Sequence, residues 1–154
     1  MRIGMGTDAH RLEAGRPLVL GTIAIEHPEG LAGHSDGDVV AHAVCDALLS
    51  ATGGPDIGVL FPGTPEWEGV TGATMIGHVM DRLRAEGAAV ANVHAVIMCE
   101  RPRIGPHRTA MEQALTALVG APVSVHATTT DGMGFTGRGE GIACQAVALV
   151  EVAG

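Results

Sequence analysis

The sequence predicts one α+β domain of two layers, a mixed β-sheet with helices on one face. Three observations lead there. Strand-like and helix-like segments follow one another without a strict strand–helix–strand repeat. The helical segments are bounded by capping residues and glycines. A chain of 154 residues is long enough for one core, yet Phe61, Trp67 and Phe135 are its only aromatic side chains although 46% of it is hydrophobic. Such a core is built from Ala, Val, Leu, Ile and Met, and small side chains bring backbones close together. Residues 1–154 read as a single domain without internal repeat, linker or low-complexity tract.

Residues 2–12 alternate as a strand does, and "LVLGTIAI" at 18–25 gives further strand material before the turn "EHPEG". Residues 36–51 read as a helix with Ser35 or Asp36 as N-cap and Gly53 and Gly54 at its end. The stretch 53–69 is a loop rich in Gly and Pro, long enough to carry function. "ATMIGHVMDRLRAEG" places Ile76, Val79, Met80 and Leu83 on one helical face and stops at Gly87. Residues 88–100 have strand character. A further helix is expected from Pro106 through Met111, Leu115 and Leu118 to Gly120. Residues 122–130 and 142–152 read as strands on either side of the glycine-rich "GMGFTGRGEG".

A formal net charge of −8 argues against a nucleic-acid surface, which carries a basic face. A phosphorylated small molecule is compatible with it where metal ions or helix ends supply local positive potential. The start "MRIGMGTDAH" lacks the apolar core of a signal peptide, and no run of about 18 apolar residues offers a membrane span. The expectation is a cytoplasmic protein. Cys45, Cys99 and Cys144 form no C-x-x-C pair and read as buried, reduced thiols.

"AGHSDGDVVAHAVCD" concentrates His34, Asp36, Asp38, His42 and Asp46 in a chain that is 17% charged. At helical spacing Asp38, His42 and Asp46 follow one ridge of an otherwise apolar helix, and such a ridge is costly unless its groups are paired or hold an ion. A salt-linked or solvated stripe competes with a metal site. Asp8 and His10, two residues apart on a strand, point to one face. With His42 they make a three-ligand set of the kind zinc accepts, with a fourth position open. Asp46 either orients the His42 ring or is a surface acid. The helix N-terminus beside His34 and Ser35 would add free N–H groups, making a phosphate receptor.

A second group, "ERPRIGPHR", gathers Arg101, Arg103, His107 and Arg108, suited to an anion or else a solvated basic turn. "ATTTDG" offers hydroxyls followed by Asp131, a hard oxygen donor that suits magnesium or manganese, although a threonine run is also ordinary strand sequence. "FTGRGEG" is neither a Walker loop nor a dinucleotide fingerprint, and its glycines suit a tight bend or a close backbone approach.

Taken together, "GTDAH", "HSDGDVVAHAVCDALL", "DIGVLFP" and "TTTDGMGFTGRGEGIA" resemble the 2-C-methyl-D-erythritol 2,4-cyclodiphosphate synthase family, in order from Arg2 to about Val150. The resemblance implies a homotrimer with active sites at subunit boundaries. It implies a phosphorus–oxygen lyase of non-mevalonate isoprenoid synthesis, which closes 4-diphosphocytidyl-2-C-methyl-D-erythritol 2-phosphate into a cyclic diphosphate and releases CMP. Asp8, His10 and His42 then stand as zinc ligands. His34 and Thr129 stand as the pair that steadies the transition state, and Ser35 as a phosphate contact. Asp131 occupies the place where a glutamate usually holds the second ion, magnesium or manganese.

The same resemblance implies substrate contacts at Ala9, at Asp56, Ile57 and Gly58, and at Phe61, Pro62, Gly63, Thr64 and Pro65. It implies a further substrate contact at Thr130, and a cytidine pocket of Cys99, Glu100, Arg101, Pro102, Arg103, Ile104 and Gly105 with Thr128, given by a neighbouring subunit. Phe135 and Arg138 resemble the lining of a cavity on the trimer axis, where an isoprenoid diphosphate would bind. Gly63 and Pro65 replace common aspartates, Gly72 a common serine, and Arg103 and His126 common lysines. Two other readings use the same residues: a metal-dependent phosphohydrolase, and a non-catalytic trimer that binds isoprenoid phosphates through Arg138.

Overall fold

Strand β1, Arg2–Ala14, alternates in register with its chemistry. Gly4 and Gly6 are buried, whereas Ile3 and Met5 are 73% and 63% exposed. The glycines let helix α1, Val39–Thr52, lie directly on the strand backbone. A Cβ on Gly4 would stand 2.0 Å from the carbonyl oxygen of Ala47, and one on Gly6 2.1 Å from that of Ala43. Ala43, Ala47 and Ala51 recur every four residues and form the matching helical stripe. The small-residue core expected from composition is therefore a close helix–strand contact.

The structure is a computed structural model and describes residues 1–152. Residues 153–154 of the expected domain lie outside the described residues. The remaining strands are β2 (Leu18–Leu20), β3 (Ile23–Ile25), β4 (Glu29–Leu31), β5 (Ala89–Met98), β6 (Val123–Thr128) and β7 (Gly141–Glu151). The main sheet has the order β4-β1-β7-β5-β6, and β2 pairs with β3 apart from it. The β5–β6 pair is parallel, while the β1–β4, β1–β7 and β5–β7 pairs are antiparallel, so the sheet is mixed as predicted. Helix α1 covers β1 and β7, α4 (Arg108–Val119) packs beside β6, and α3 (Gly72–Ala85) contacts both helices. Ile76, Val79, Met80 and Leu83 are buried on α3, and Met111 and Leu115 on α4. All three cysteines are buried free thiols.

Several local expectations change. Helix α1 begins three residues later than the sequence suggests, and its N-cap is Asp38 rather than Ser35 or Asp36. The Asp38 carboxylate, fully buried, accepts the N–H groups of Val40 and Ala41 and also those of Gly21 and Thr22 in the β2–β3 turn. One side chain thus caps a helix and clamps a hairpin, and Asp38 leaves the polar ridge. Asp36 accepts from Gly72 and from Asp38, and Gly37 sits at φ +74° against Leu31. The acids of "HSDGD" are structural because the N–H groups of the buried and half-buried backbone around them need acceptors.

The loop at 53–69 contains a short helix α2, Ile57–Leu60, and a 3-10 turn, Pro65–Trp67. Pro106 belongs to a 3-10 turn, Gly105–His107, and α4 starts only at Arg108. The glycine-rich segment after β6 folds into α5, Gly134–Gly137. There Gly137 approaches Gly132 so closely that a Cβ would meet its carbonyl carbon at 2.3 Å.

Candidate metal centre and nucleotide cavity

β1 delivers Asp8 and His10 to the helix-covered face, one and two alternations beyond Gly6, and α1 brings His42 down onto them. The Asp8 Oδ2 atom lies 2.8 Å from His10 Nε2 and 2.9 Å from His42 Nδ1, and the two ring nitrogens are 3.1 Å apart. Among the described residues this trio is the group of His, Cys, Asp or Glu whose donor atoms converge as a metal-ion cluster does. The outer nitrogens are also committed. His10 Nδ1–H donates to the carbonyl of Ala32, and His42 Nε2 pairs with the Ser35 hydroxyl at 3.1 Å. Each ring is thereby fixed with its inner nitrogen toward the same point, the arrangement that outer partners impose on ligand histidines.

Burial by itself would raise the Asp8 carboxyl, but its hydrogen bonds and charge interactions with His10 and His42 hold it down at about 2. Burial opposes protonation of His10, yet the Asp8 carboxylate and the Ala32 carbonyl push its pKa above the ordinary histidine value. Two imidazole nitrogens and one carboxylate oxygen at this spacing fit a divalent transition metal with a position left open for substrate.

The trio lines a cavity of about 240 Å³ together with His34, Ser35, Ile57, Gly58, Phe61, Trp67, Val70 and Met75. Ser35 Oγ accepts the Gly37 N–H at 3.1 Å, and with His42 Nδ1 given to a metal ion the Nε2–H of that ring would donate to the same oxygen, leaving the hydroxyl hydrogen for an anion. His34 donates from Nε2 to the carbonyl of Thr64, 2.8 Å away. The N-terminus of α1 is less free as a phosphate cradle than the sequence suggests, because the Asp38 carboxylate already accepts the N–H groups of Val40 and Ala41. Asp46 does not orient His42 either. Its Oδ1 accepts the Ile57 N–H at 2.9 Å, which ties α1 to the 56–60 segment. Burial and the charges of Asp56 and Asp8 raise its carboxyl, against the pull of that N–H and of His42.

A second cavity, about 520 Å³, lies at the ends of β5 and β6. It is lined by Cys99, Glu100, Arg101, Pro102, Arg103, Ile104 and Gly105 with Thr128 and Thr129, all of them expected site residues. Pro106 and Ala127 complete it. The Cys99 thiol, pushed up to about 11 by burial, donates to the carbonyl of Arg101 at 2.9 Å, so it braces the loop as a neutral group. Within one chain, His34 and Thr129 line different cavities.

Other expected residues divide. Ile57, Gly58 and Phe61 reach the metal cavity, whereas Pro62, Gly63, Thr64 and Pro65 form an exposed loop linked to His34 through the Thr64 carbonyl. Asp56 caps α2 through Val59. Ala9 points to the opposite side of β1 and shares a hollow of about 180 Å³ with Phe135. The Thr130 hydroxyl is engaged by Met133 and Thr136. Asp131 is exposed at φ +52°, outside the Asp8–His10–His42 cluster. Arg138 lines a hollow with Arg101 and pairs with Glu140 at 3.4 Å. The sequence reading missed Trp67, Val70 and Met75 in the metal cavity. The glycines of "GMGTDAH", in phase with Asp8 and His10, are the signal that would have shown the strand touching the helix.

This geometry agrees with similarity along the whole chain. A 2-C-methyl-D-erythritol 2,4-cyclodiphosphate synthase of Cutibacterium acnes is 53% identical over 153 residues, covering 97% of this chain and 90% of its own. A bifunctional enzyme IspD/IspF of Erythrobacter litoralis is 51% identical over 154 residues, and there the chain spans 40% of a longer protein. A solved 2C-methyl-D-erythritol-2,4-cyclodiphosphate synthase in a CDP-bound form superposes with a TM-score of 0.89 at 39% identity, covering 97% of this chain and all of that one. No helix among the described residues is long and apolar enough to cross a membrane. With residues 1–151 matching the family as a whole, the chain that carries this triad belongs to the YgbB family.

Proposed function

We infer that the chain converts 4-diphosphocytidyl-2-C-methyl-D-erythritol 2-phosphate into 2-C-methyl-D-erythritol 2,4-cyclodiphosphate and CMP, as a phosphorus–oxygen lyase of isoprenoid synthesis. The observation that carries this is the convergence of Asp8, His10 and His42 beside Ser35 and His34. It makes a metal centre with anion donors at its rim, in a chain closely similar to enzymes of that name. Zinc suits the donor set, and when bound it would draw electron density from the substrate diphosphate. Ser35 then donates its free hydroxyl hydrogen to a phosphate oxygen. His34 and Thr129 hold the reacting phosphoryl group, and Asp131 supports a second ion, magnesium or manganese. Both reacting groups are anionic, so positioning and charge neutralisation supply the acceleration.

The 520 Å³ cavity has the size and the arginines for the cytidine nucleotide. Because it shares no lining residue with the metal cavity, we place the complete site between two copies of the chain. The uncovered sheet face, with Ile3 and Met5 largely exposed and Val147 43% exposed, supports a homotrimer. Phe135 and Arg138 would face its axis and an isoprenoid diphosphate there. Phosphorus NMR of the purified protein with substrate tests the reading: the cyclic diphosphate and CMP are expected, and release of inorganic phosphate instead would make it a phosphohydrolase. His42→Ala should lose bound zinc and turnover together while the fold persists, and equal zinc in the two proteins would remove His42 from the ligand set.

A further inference from the structure

The metal cavity has two unlike halves. Its polar half is Asp8, His10, His42, Ser35 and His34, and its other half is apolar: Ile57, Phe61, Trp67, Val70 and Met75. Two of the chain's three aromatic side chains stand in that wall. They are fixed by ring geometry. Trp67 meets Phe61 edge-on, with centroids 4.9 Å apart and planes at 87°, and meets the ring of His78 at 5.4 Å and 86°. Phe61 and His78 lie 6.0 Å apart at 65°. Edge-to-face contacts of this kind favour one arrangement of the rings over others.

The three rings come from different elements: Phe61 from the C-terminal cap of α2, Trp67 from the 3-10 turn and His78 from α3. The segment that carries the first two is fastened to the polar half as well, on both sides of Trp67. Thr64 accepts from the His34 ring, and Gly69 N–H donates to the His34 carbonyl at 2.8 Å. Wall and anion-binding rim are therefore joined through His34, and the wall lines the same cavity as the three donor atoms.

A phosphorus atom made electrophilic in this cavity can be attacked by the substrate's own 2-phosphate oxygen or by water. Internal attack is favoured by proximity, and excluding water removes its competitor. We propose that Trp67, braced by Phe61 and His78, is a specificity-determining residue that closes the cavity to water and so commits the reaction to cyclisation. This rests on the cyclodiphosphate synthase reading. When the wall is open, a water oxygen bonds to the β-phosphorus, the phosphorus–oxygen bond to CMP breaks, CMP leaves with the electron pair, and the water gives up a proton. The product is then the linear 2-C-methyl-D-erythritol 2,4-bisphosphate.

The test is turnover in ¹⁸O-labelled water, followed by phosphorus NMR and mass spectrometry, for wild type, Trp67→Ala, Trp67→Phe and His78→Ala. Wild type should give cyclic product without label. Trp67→Ala should raise the fraction of linear, ¹⁸O-labelled product severalfold, Trp67→Phe should return it toward wild type, and His78→Ala should raise it by less. His78 is an exposed position of α3, so that variant keeps the test open where Trp67→Ala does not fold. Slower variants that still yield only unlabelled cyclic product would overturn the proposal and make Trp67 a packing residue. Wild type that forms no cyclic product would instead overturn the synthase reading itself.

Discussion

Gly6 and Ala43 touch backbone to backbone: a Cβ on Gly6 would stand 2.1 Å from the Ala43 carbonyl oxygen and 2.6 Å from the Ala47 nitrogen. Asp8 is the next residue of β1 on that face, and His42 precedes Ala43 in α1. The contact thus sets the distance at which strand donors and helix donor meet.

Gly6→Ala tests that link. The new methyl group collides with helix backbone, which cannot rotate away, so α1 must lift from β1. The expected loss of stability is about 3 kcal/mol, the upper part of the range for overpacked cores. Zinc affinity should fall with it by about tenfold or more, because all three donors must be held within a few tenths of an ångström. Denaturant unfolding and zinc titration of one preparation measure both, and an unchanged zinc affinity would uncouple the helix–strand contact from the metal centre.

Protons and metal compete at His10. The raised pKa of that ring reflects a proton shared with the Asp8 carboxylate, and zinc must displace it. Below the folded pKa of His10, zinc affinity should therefore fall as pH falls. In zinc-free protein the sign is reversed. A raised histidine contributes stability that is fully present below its unfolded value of 6.5 and is lost as pH rises through the folded value. The difference in melting temperature between zinc-loaded and chelator-treated protein should widen from about pH 5 to pH 8. A difference that narrows over that span would contradict the coupling.

Much of this was legible in the residues. The α1 stop at Gly53, the buried stripe of α3 and the mixed sheet follow from period and punctuation, and Asp8, His10 and His42 stand out as a donor set. What remained hidden depends on contacts far apart in the sequence. Asp38 looks like part of a ridge because a helical wheel does not show that the Gly21–Thr22 turn, 16 and 17 residues earlier, needs its carboxylate. Asp46 looks like a partner of His42 for the same reason, although its acceptor serves Ile57. Trp67 in a loop rich in Gly and Pro gives no period to read, and only the folded chain sets it against Phe61 and His78.

Asp38→Ala should be among the most destabilising single changes in the chain. It leaves the N–H groups of Gly21, Thr22, Val40 and Ala41 without their acceptor, a side chain that is itself fully buried. Loss of a cap together with buried charge-assisted hydrogen bonds gives an expected cost of about 3–5 kcal/mol. Asp38→Asn separates shape from charge. Its carbonyl can keep three of the four donors at the Oδ1 position, but its amide would face the Thr22 N–H, so an intermediate cost of about 1–3 kcal/mol is expected. Denaturant midpoints of the three proteins check the order, and equal stability of wild type and Asn variant would show that the fourth contact is dispensable.

Asp131 poses the complementary question, whether an exposed acid outside the Asp8–His10–His42 cluster serves the reaction. Its φ of +52° is one that Asn adopts more readily than most residues, so Asp131→Asn should leave the turn and its stability intact. A neutral amide is nevertheless a poorer ligand for a hard divalent ion than a carboxylate. With zinc saturating, the variant should turn over more slowly and require more magnesium or manganese to reach its maximum. Asp131→Glu restores the charge on an arm one methylene longer, but Glu tolerates positive φ less well than Asp does, so partial activity is expected along with a small loss of stability. Initial rates titrated with magnesium for the three proteins decide the matter. If the Asn variant keeps the wild-type magnesium requirement and rate, Asp131 is a turn residue before Gly132 and the second ion, where one is used, is held by other groups.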